Sequence, residues 1–251
     1  MMEKAYTTIP IGLIQFAVTR RKLNHLKIYI FLKCISSSHL SVKDDSYKVW
    51  AKEIGINVKT FKSCLDWMLK KRWLSFNSKR QSLRVVSYVQ LKRQYKLNSQ
   101  TSLKFDRDNF KDFRGLCAAA LIGFYRNSKK FTDKKNKVSG VINGIPSMNT
   151  SYPKNYYDLP VRYFAECLGV SVTTAENLKK EALKYGFISV KKNYYYAEDF
   201  KGKKIPTEFI KYNVEKLDKG HYFISARGIL IKGADLIKIN IHLKRKFKKI
   251  D

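Results

Sequence analysis

Thr173, Asn177, Lys180 and Lys184 are spaced by four, three and four residues, and Lys59, Ser63, Asp66 and Lys70 are spaced in the same way. At about 100° per residue, a helix sets either group on one face. Such a face can donate and accept hydrogen bonds through Asn, Ser and Thr and can neutralise negative charge through Lys. Lys62 and Glu176 stand on the flanks of the two faces.

Side chains suited to covalent or metal chemistry are present but not arranged for it. His25, His39, His221 and His242 never form a His-x-His pair, and no GxxxxGK[ST] phosphate loop occurs. Cys34, Cys64, Cys117 and Cys167 lie far apart, with neither zinc-finger nor redox spacing. Asp44, Asp45 and Glu53 read as a helix cap and a solvated helix face. The expectation is a protein that is not an enzyme, needs no cofactor or metal, and keeps its thiols free in a reducing compartment, the cytoplasm.

The two polar faces belong to a repeat. WAKEIGINVKTFKSCLDWMLKKRWLSF (50–76) and FAECLGVSVTTAENLKKEALKYGFISV (164–190) align without a gap at an offset of 114 positions, 165 less 51. Ala51, Gly55, Val58, Thr60, Leu69, Lys70 and Ser75 then meet identical residues. Each copy predicts a short helix ended by glycine, Gly55 or Gly169, because glycine readily takes the positive φ of a helix terminus. Asp44 to Ser46, and Asp158 with Pro160, are expected to start those helices. One residue after each glycine comes an aliphatic, then a cap, Asn57 or Ser171, opening a second helix. That helix is predicted to bury Phe61, Cys64, Leu65 and Met68 in the first copy and Ala175, Leu178 and Ala182 in the second. Lys179 falls where the first copy has Leu65 and breaks the stripe. Apolar segments Leu26–Ile35 and Phe113–Tyr125 predict buried helices upstream. WLSFNSKRQSLRVVSYV and FISVKKNYYYA predict β-hairpins with polar tips at Asn77–Gln81 and Lys192–Asn193.

The chain carries 51 Lys and Arg against 20 Asp and Glu, a net charge of +31, so a polyanionic partner is expected. No run of about 20 apolar residues exists that could span a bilayer, so no membrane partner is expected. The apolar patch Ile9–Val18, broken by Pro10 and Gly12, reads as folded structure and not as a signal peptide.

Two helices joined by a tight turn and followed by a hairpin resemble the winged helix-turn-helix family. The residues carrying the likeness are Ala165, Gly169, Val170, Ser171, Thr174, Gly186, Phe187 and Ile188 in the second copy. In the first they are Ala51, Gly55, Ile56, Thr60, Leu65, Met68 and Leu74, with Arg72 where glycine is usual. The resemblance implies an α+β fold of two tandem winged helix-turn-helix domains with a C-terminal β-hairpin and basic tail. It divides the chain into a first domain, 1–98, a second, 99–200, with a basic loop insertion near 128–157, and an extension, 201–251. It also implies binding of double-stranded DNA: Thr173 and Asn177 to bases, Lys180 and Lys184 to backbone, Lys59, Lys62 and Ser63 from the first copy, and Lys79, Arg80 and Lys192 from the hairpins. Lys244, Arg245 and Lys246 of the tail would add phosphate contacts. The first copy either touches DNA in this way or pairs two chains in a homodimer. Tandem winged helices, opened by TTIPIGLI and LNHLKIYIFLK, are similar to the replication initiators of plasmids and some phages, which engage repeated origin sequences and the replication machinery. Alternatives are a transcription regulator built from the same modules and working with the transcription machinery, and a scaffold whose winged helices bind protein.

Overall fold

Gly55 and Gly169 sit at φ +64° and +71°, and in each case the following amide reaches back into the helix: Ile56 N donates to Ala51 O at 2.9 Å and Val170 N to Ala165 O at 3.0 Å. The same hydrogen bond closes the next helix in both copies, Trp73 N to Met68 O at 2.8 Å and Phe187 N to Ala182 O at 3.0 Å. Only one position differs in kind. Gly186 takes φ +71°, and its counterpart Arg72 is held at φ +57°.

The structure, a computed structural model, describes residues 6–36, 39–43, 45–97, 100–137, 153–196, 222–225 and 228–245. Among them are eight α-helices, one 3-10 turn and four three-stranded antiparallel sheets, a mixed α+β arrangement. The first repeat runs β1 (Tyr6–Pro10), α1 (Ile11–Thr19), α2 (Leu23–Ile35), β2 (His39–Ser41), α3 (Ser46–Glu53), α4 (Val58–Lys70), β3 (Leu74–Asn77), β4 (Ser82–Val85) and α5 (Tyr88–Gln94). The second runs β5 (Thr101–Asp106), the 3-10 turn Arg107–Phe110, α6 (Phe113–Lys137), β6 (Tyr157–Asp158), α7 (Val161–Leu168), α8 (Val172–Lys184) and β7 (Ile188–Lys191). After it come β8 (Tyr194–Tyr196), β9 (Tyr222–Ser225), β10 (Gly228–Lys232), β11 (Leu236–Ile239) and β12 (Leu243–Arg245). α4 and α8, 13 residues each, and β3 and β7, four each, keep the sequence offset without slippage.

Local chemistry accounts for the helix starts. The Asn57 side chain accepts from Lys59 N at 2.8 Å, and Ser171 Oγ accepts from Thr174 N at 3.2 Å. The caps expected for α3 and α7 take another form. Asp45 occupies the N-cap of α3 without a side-chain capping bond, its carboxylate pairing with Lys48 at 3.0 Å, while Lys43 N donates to Ser46 Oγ at 2.8 Å; Asp44 lies outside the described residues. Asp158 belongs to β6 and pairs with Lys129 at 3.1 Å, leaving Pro160, with its fixed φ, to lead into α7.

The buried stripes are those the periodicity predicts: Phe61, Cys64, Leu65 and Met68 on α4, and Ala175, Leu178 and Ala182 on α8. They pack on α2, buried from Ile28 through Leu32, and on α6, buried from Leu116 through Ile122, and all four cysteines are free. Trp73 anchors the first repeat. Its ring lies fully buried beside Tyr29, and its Nε1–H donates to Tyr95 Oη at 2.9 Å, while Tyr29 donates to Val86 O at 2.6 Å. Burial pushes the Tyr29 phenol well above its ordinary pKa.

Sheet pairing departs from the sequence reading in several places. β2-β4-β3 closes the first hairpin around Ser78–Gln81, as expected. β7 and β8 do not pair with each other across Lys192–Asn193; β7 pairs with β11 and β8 with β10, so this point is a bend in a longer ribbon and not a tip. β11 lies between β6 and β7, as β4 lies between β2 and β3, and so belongs to the second repeat's sheet. β12 joins β1 and β5 in a sheet that links the repeats, so the basic segment begins as a strand. The lysines expected in a loop from 128 onward lie on α6, which continues to Lys137, and residues 138–152 lie outside the described residues. Between the repeats, Lys92 and Arg93 lie on α5, opened by a reciprocal Ser87–Gln90 capping box, and Ser102 lies within β5.

An L-residue in the left-handed region costs about 1–2 kcal/mol, and glycine's extra freedom in the unfolded chain gives back about 0.4–1 kcal/mol. Arg72→Gly is therefore expected to stabilise the protein by about 0.5–1 kcal/mol, and Gly186→Ala to destabilise it by about 1 kcal/mol. Urea denaturation midpoints check both, and unchanged midpoints would show that these turns carry no backbone strain.

Candidate nucleic-acid interface

The outward faces of α4 and α8 are polar and solvated. Thr173, Asn177, Lys180 and Lys184 are all exposed on α8, as are Lys59, Lys62, Ser63, Asp66 and Lys70 on α4. Their backs are fixed by the buried stripes, so neither helix can roll without exposing its apolar side. The Asn177 amide can make two hydrogen bonds at once, the geometry that matches an adenine edge, whereas the lysines offer charge with little directional selectivity.

Between the repeats lies an open cleft of about 880 Å³. The first repeat supplies Arg21, Asn24, His25 and Lys27 around the start of α2, and Lys59, Thr60 and Ser63 from α4. The second supplies Lys111 and Arg114 at the start of α6, with Thr174 and Leu178 from α8. Thr60 and Thr174 are the same position of the repeat, as are Cys64 and Leu178, so the two polar helices meet this cleft with corresponding residues. Arg21, Lys27, Lys111 and Arg114 form no sequence motif; tertiary packing of α2 and α6 assembles them.

One corner of the cleft holds a cysteine and a histidine together. Cys64 Sγ lies 3.8 Å from His25 Nδ1, and the His25 ring meets Trp67 edge-on at 4.6 Å, with Lys22 Nζ 4.7 Å from the Trp67 ring centre. Desolvation, with the charge of Lys22 second, lowers the His25 pKa to about 4. Burial raises the Cys64 thiol, against the opposing pull of Lys22. A cysteine nucleophile needs the reverse, a depressed thiol beside a protonated imidazole. At neutral pH this pair is a neutral thiol and a neutral ring, and it packs without reacting.

In the first hairpin Lys79 and Arg80 are exposed on the turn, which is shaped by Arg80 N donating to Asn77 Oδ1 at 3.1 Å. Across the sheet His39, Arg84 and Ser75 stand in register and, with Lys79 and Arg80, line a shallow groove. Arg84 is thus a further cation that alternation alone did not single out. In the second ribbon Lys192 shares a carboxylate. Its Nζ lies 3.1 Å from Asp235, which also receives Lys179 at 2.6 Å. Hydrogen bonds and charge from Lys179 and then Lys192 outweigh desolvation and hold Asp235 below the usual carboxylate range. This pairing explains Lys179: the break in the α8 stripe is a half-buried cation held by a carboxylate that it shares with Lys192. Lys232, exposed, lines an open groove with them. Lys244 is exposed on β12 and Arg245 ends that strand, remote in sequence from either repeat's polar helix, while Lys246 lies outside the described residues.

Among the described residues no helix is long and apolar enough to cross a membrane. No protein-family model, no curated protein and no solved structure matches the chain.

Removing the shared carboxylate leaves Lys179 without its partner. Asp235→Asn is expected to destabilise the protein by about 1–3 kcal/mol, the range for a hydrogen bond to a charged group. Because the Asp235 carboxyl is depressed in the folded state, its contribution is present above the unfolded value near pH 3.9 and lost as the pH falls through the folded value. Chemical denaturation at pH 7 and at about pH 3 should therefore show a large difference between wild type and variant at the first and a smaller one at the second. An equal difference at both would remove the ionic interpretation.

Proposed function

We propose that this chain is a tandem winged helix-turn-helix protein that binds double-stranded DNA. The observation that carries the reading is the duplicated unit itself. Two 13-residue helices, each entered by a glycine turn and followed by a strand at the same offset, turn polar, lysine-bearing faces to solvent. A net charge of +31 supplies the long-range attraction to a polyanion, and lysine, at 39 residues against 12 arginines, favours phosphate over guanine as the principal contact. Bases would be read from Thr173 and Asn177, and backbone held by Lys180, Lys184, Lys59, Lys62, Lys79 and Arg80. Two such units in one chain, opened by a strand and helix, fit the replication initiators of plasmids and some phages. In that role the protein marks an origin by its repeated sites for the replication machinery.

Selection of bound duplexes from a random library, followed by footprinting, tests the reading. Engagement of roughly 8–12 phosphates gives a slope of log K against log salt of about −7 to −11. Asn177→Ala is expected to cost about 1–3 kcal/mol on the selected site and almost nothing on random duplex. No enriched sequence together with a salt slope near zero would overturn DNA binding. Lys59→Glu combined with Lys62→Glu should shorten the footprint; an unchanged footprint with a change from dimer to monomer would assign the first repeat to self-association.

A further inference from the structure

We propose that the cleft between the two repeats seats the sugar-phosphate ridge of one DNA strand, so that both repeats hold a single continuous stretch of duplex. The proposal rests on the duplex-binding reading and adds where the backbone lies between the two polar helices.

Charge, donors and shape agree on this occupant. Five cations line the cleft, Arg21, Lys27, Lys59, Lys111 and Arg114, and no carboxylate is among its lining residues. The nearest acidic influence comes from Asp112, which acts on Lys27, itself lowered in pKa chiefly by burial. A partly desolvated cation of this kind gains from a phosphate oxygen that restores its lost solvation. Exposed hydroxyls at Thr60, Ser63 and Thr174, the last also 2.9 Å from the Ser171 hydroxyl, supply the neutral groups that accompany cations at phosphate contacts. At about 880 Å³, open and with as much polar as apolar wall, the cleft is unlike the mostly apolar pocket that encloses a small molecule. It is too small for a whole duplex, whose major groove alone is about 12 Å wide, and it suits one projecting backbone. Lys59 and Ser63, already on the outward face of α4, point into the cleft as well, while Thr174 brings α8 to the other wall. A strand lying there would pass from one polar helix to the other without leaving the protein.

The test uses the full chain and a 40-base-pair duplex of random sequence, with binding followed by fluorescence anisotropy across a salt series. Lys111→Gln combined with Arg114→Gln removes two exposed cations at the start of α6, outside both polar helices and both hairpins. Affinity at about 0.1 M salt is expected to fall roughly 10- to 60-fold, and the log–log slope to become shallower by about 2. A control of equal charge loss outside the cleft, Lys52→Gln with Lys154→Gln, is expected to change affinity by no more than about threefold. Thr60→Ala with Thr174→Ala, which leaves the charge untouched, should weaken binding about fivefold or more. If wild type binds duplex and the cleft variants behave like the control, the cleft proposal is overturned while duplex binding stands. If a 40-nucleotide single strand binds tighter than the duplex and suffers the same losses, the cleft holds unpaired strand and the proposal as stated fails. Absence of binding by wild type overturns this proposal and the function beneath it together.

Discussion

Strand β5 ties the two repeats together, alongside the packing of α1 on α6. It is paired on both edges, to β1 at the beginning of the described chain and to β12 at its end, and Leu103, fully buried, stands opposite both Ile9 and Leu243. Three segments far apart in sequence are thereby held in one small sheet, and the apolar faces of α1 and α6 close over it as part of one continuous core. The interrepeat cleft follows from this constraint. Its walls are the starts of α2 and α6 with α4 and α8 beside them, and the separation of the two sides follows from the sheet and core beneath.

Electrostatics divides the molecule differently from packing. Several carboxylates are committed internally, Asp235 to Lys179 and Lys192, and Asp158 and Asp133 to Lys129, with Tyr157 donating to Asp133 at 2.6 Å. These pairs cluster beside the second repeat's sheet, where they neutralise half-buried lysines. Lysines of the outward faces of α4 and α8 and of the first hairpin turn instead face solvent, and their mutual repulsion opposes the compact state. A polyanion relieves that repulsion, so ligand binding and folding stability are thermodynamically linked.

How much could be read from the sequence depends on how local the governing interaction is. The α3–α4 and α7–α8 units, their glycine turns and the strands after them were legible, because caps, positive-φ sites and apolar periodicity act within a few residues. α5 carries a local signal too, the Ser87–Gln90 pair. The lysine-rich run from 128 suggests a loop, yet lysine is a good helix former and α6 continues through that run to Lys137. By contrast, the expected C-terminal β-hairpin gives no sign of the sheet that its strand β11 joins. Nothing near Lys191 says that its neighbour in the sheet is Leu236. For the site, the exposed faces of α4 and α8 followed from periodicity, whereas Arg21, Lys27, Lys111 and Arg114 converge only through packing of separate repeats. Lys179 looked like a flaw in a stripe because Asp235 lies so far along the chain.

The late arrival of β11 imposes an order on biosynthesis. A nascent chain can complete the first repeat's sheet once Val85 has emerged, since β2, β3 and β4 are all in hand. The second repeat's sheet must wait for Leu236–Ile239, and the linking sheet for β12. At translation rates of about 5–20 residues per second, the edge that β7 offers to β11 stays open on the ribosome for about 2–10 s. Throughout that interval β7 presents unpaired backbone, which a neighbouring nascent chain could pair with instead. The same sequence separation that places β11 beside β7 thus leaves an edge open to the wrong partner until the right one is made.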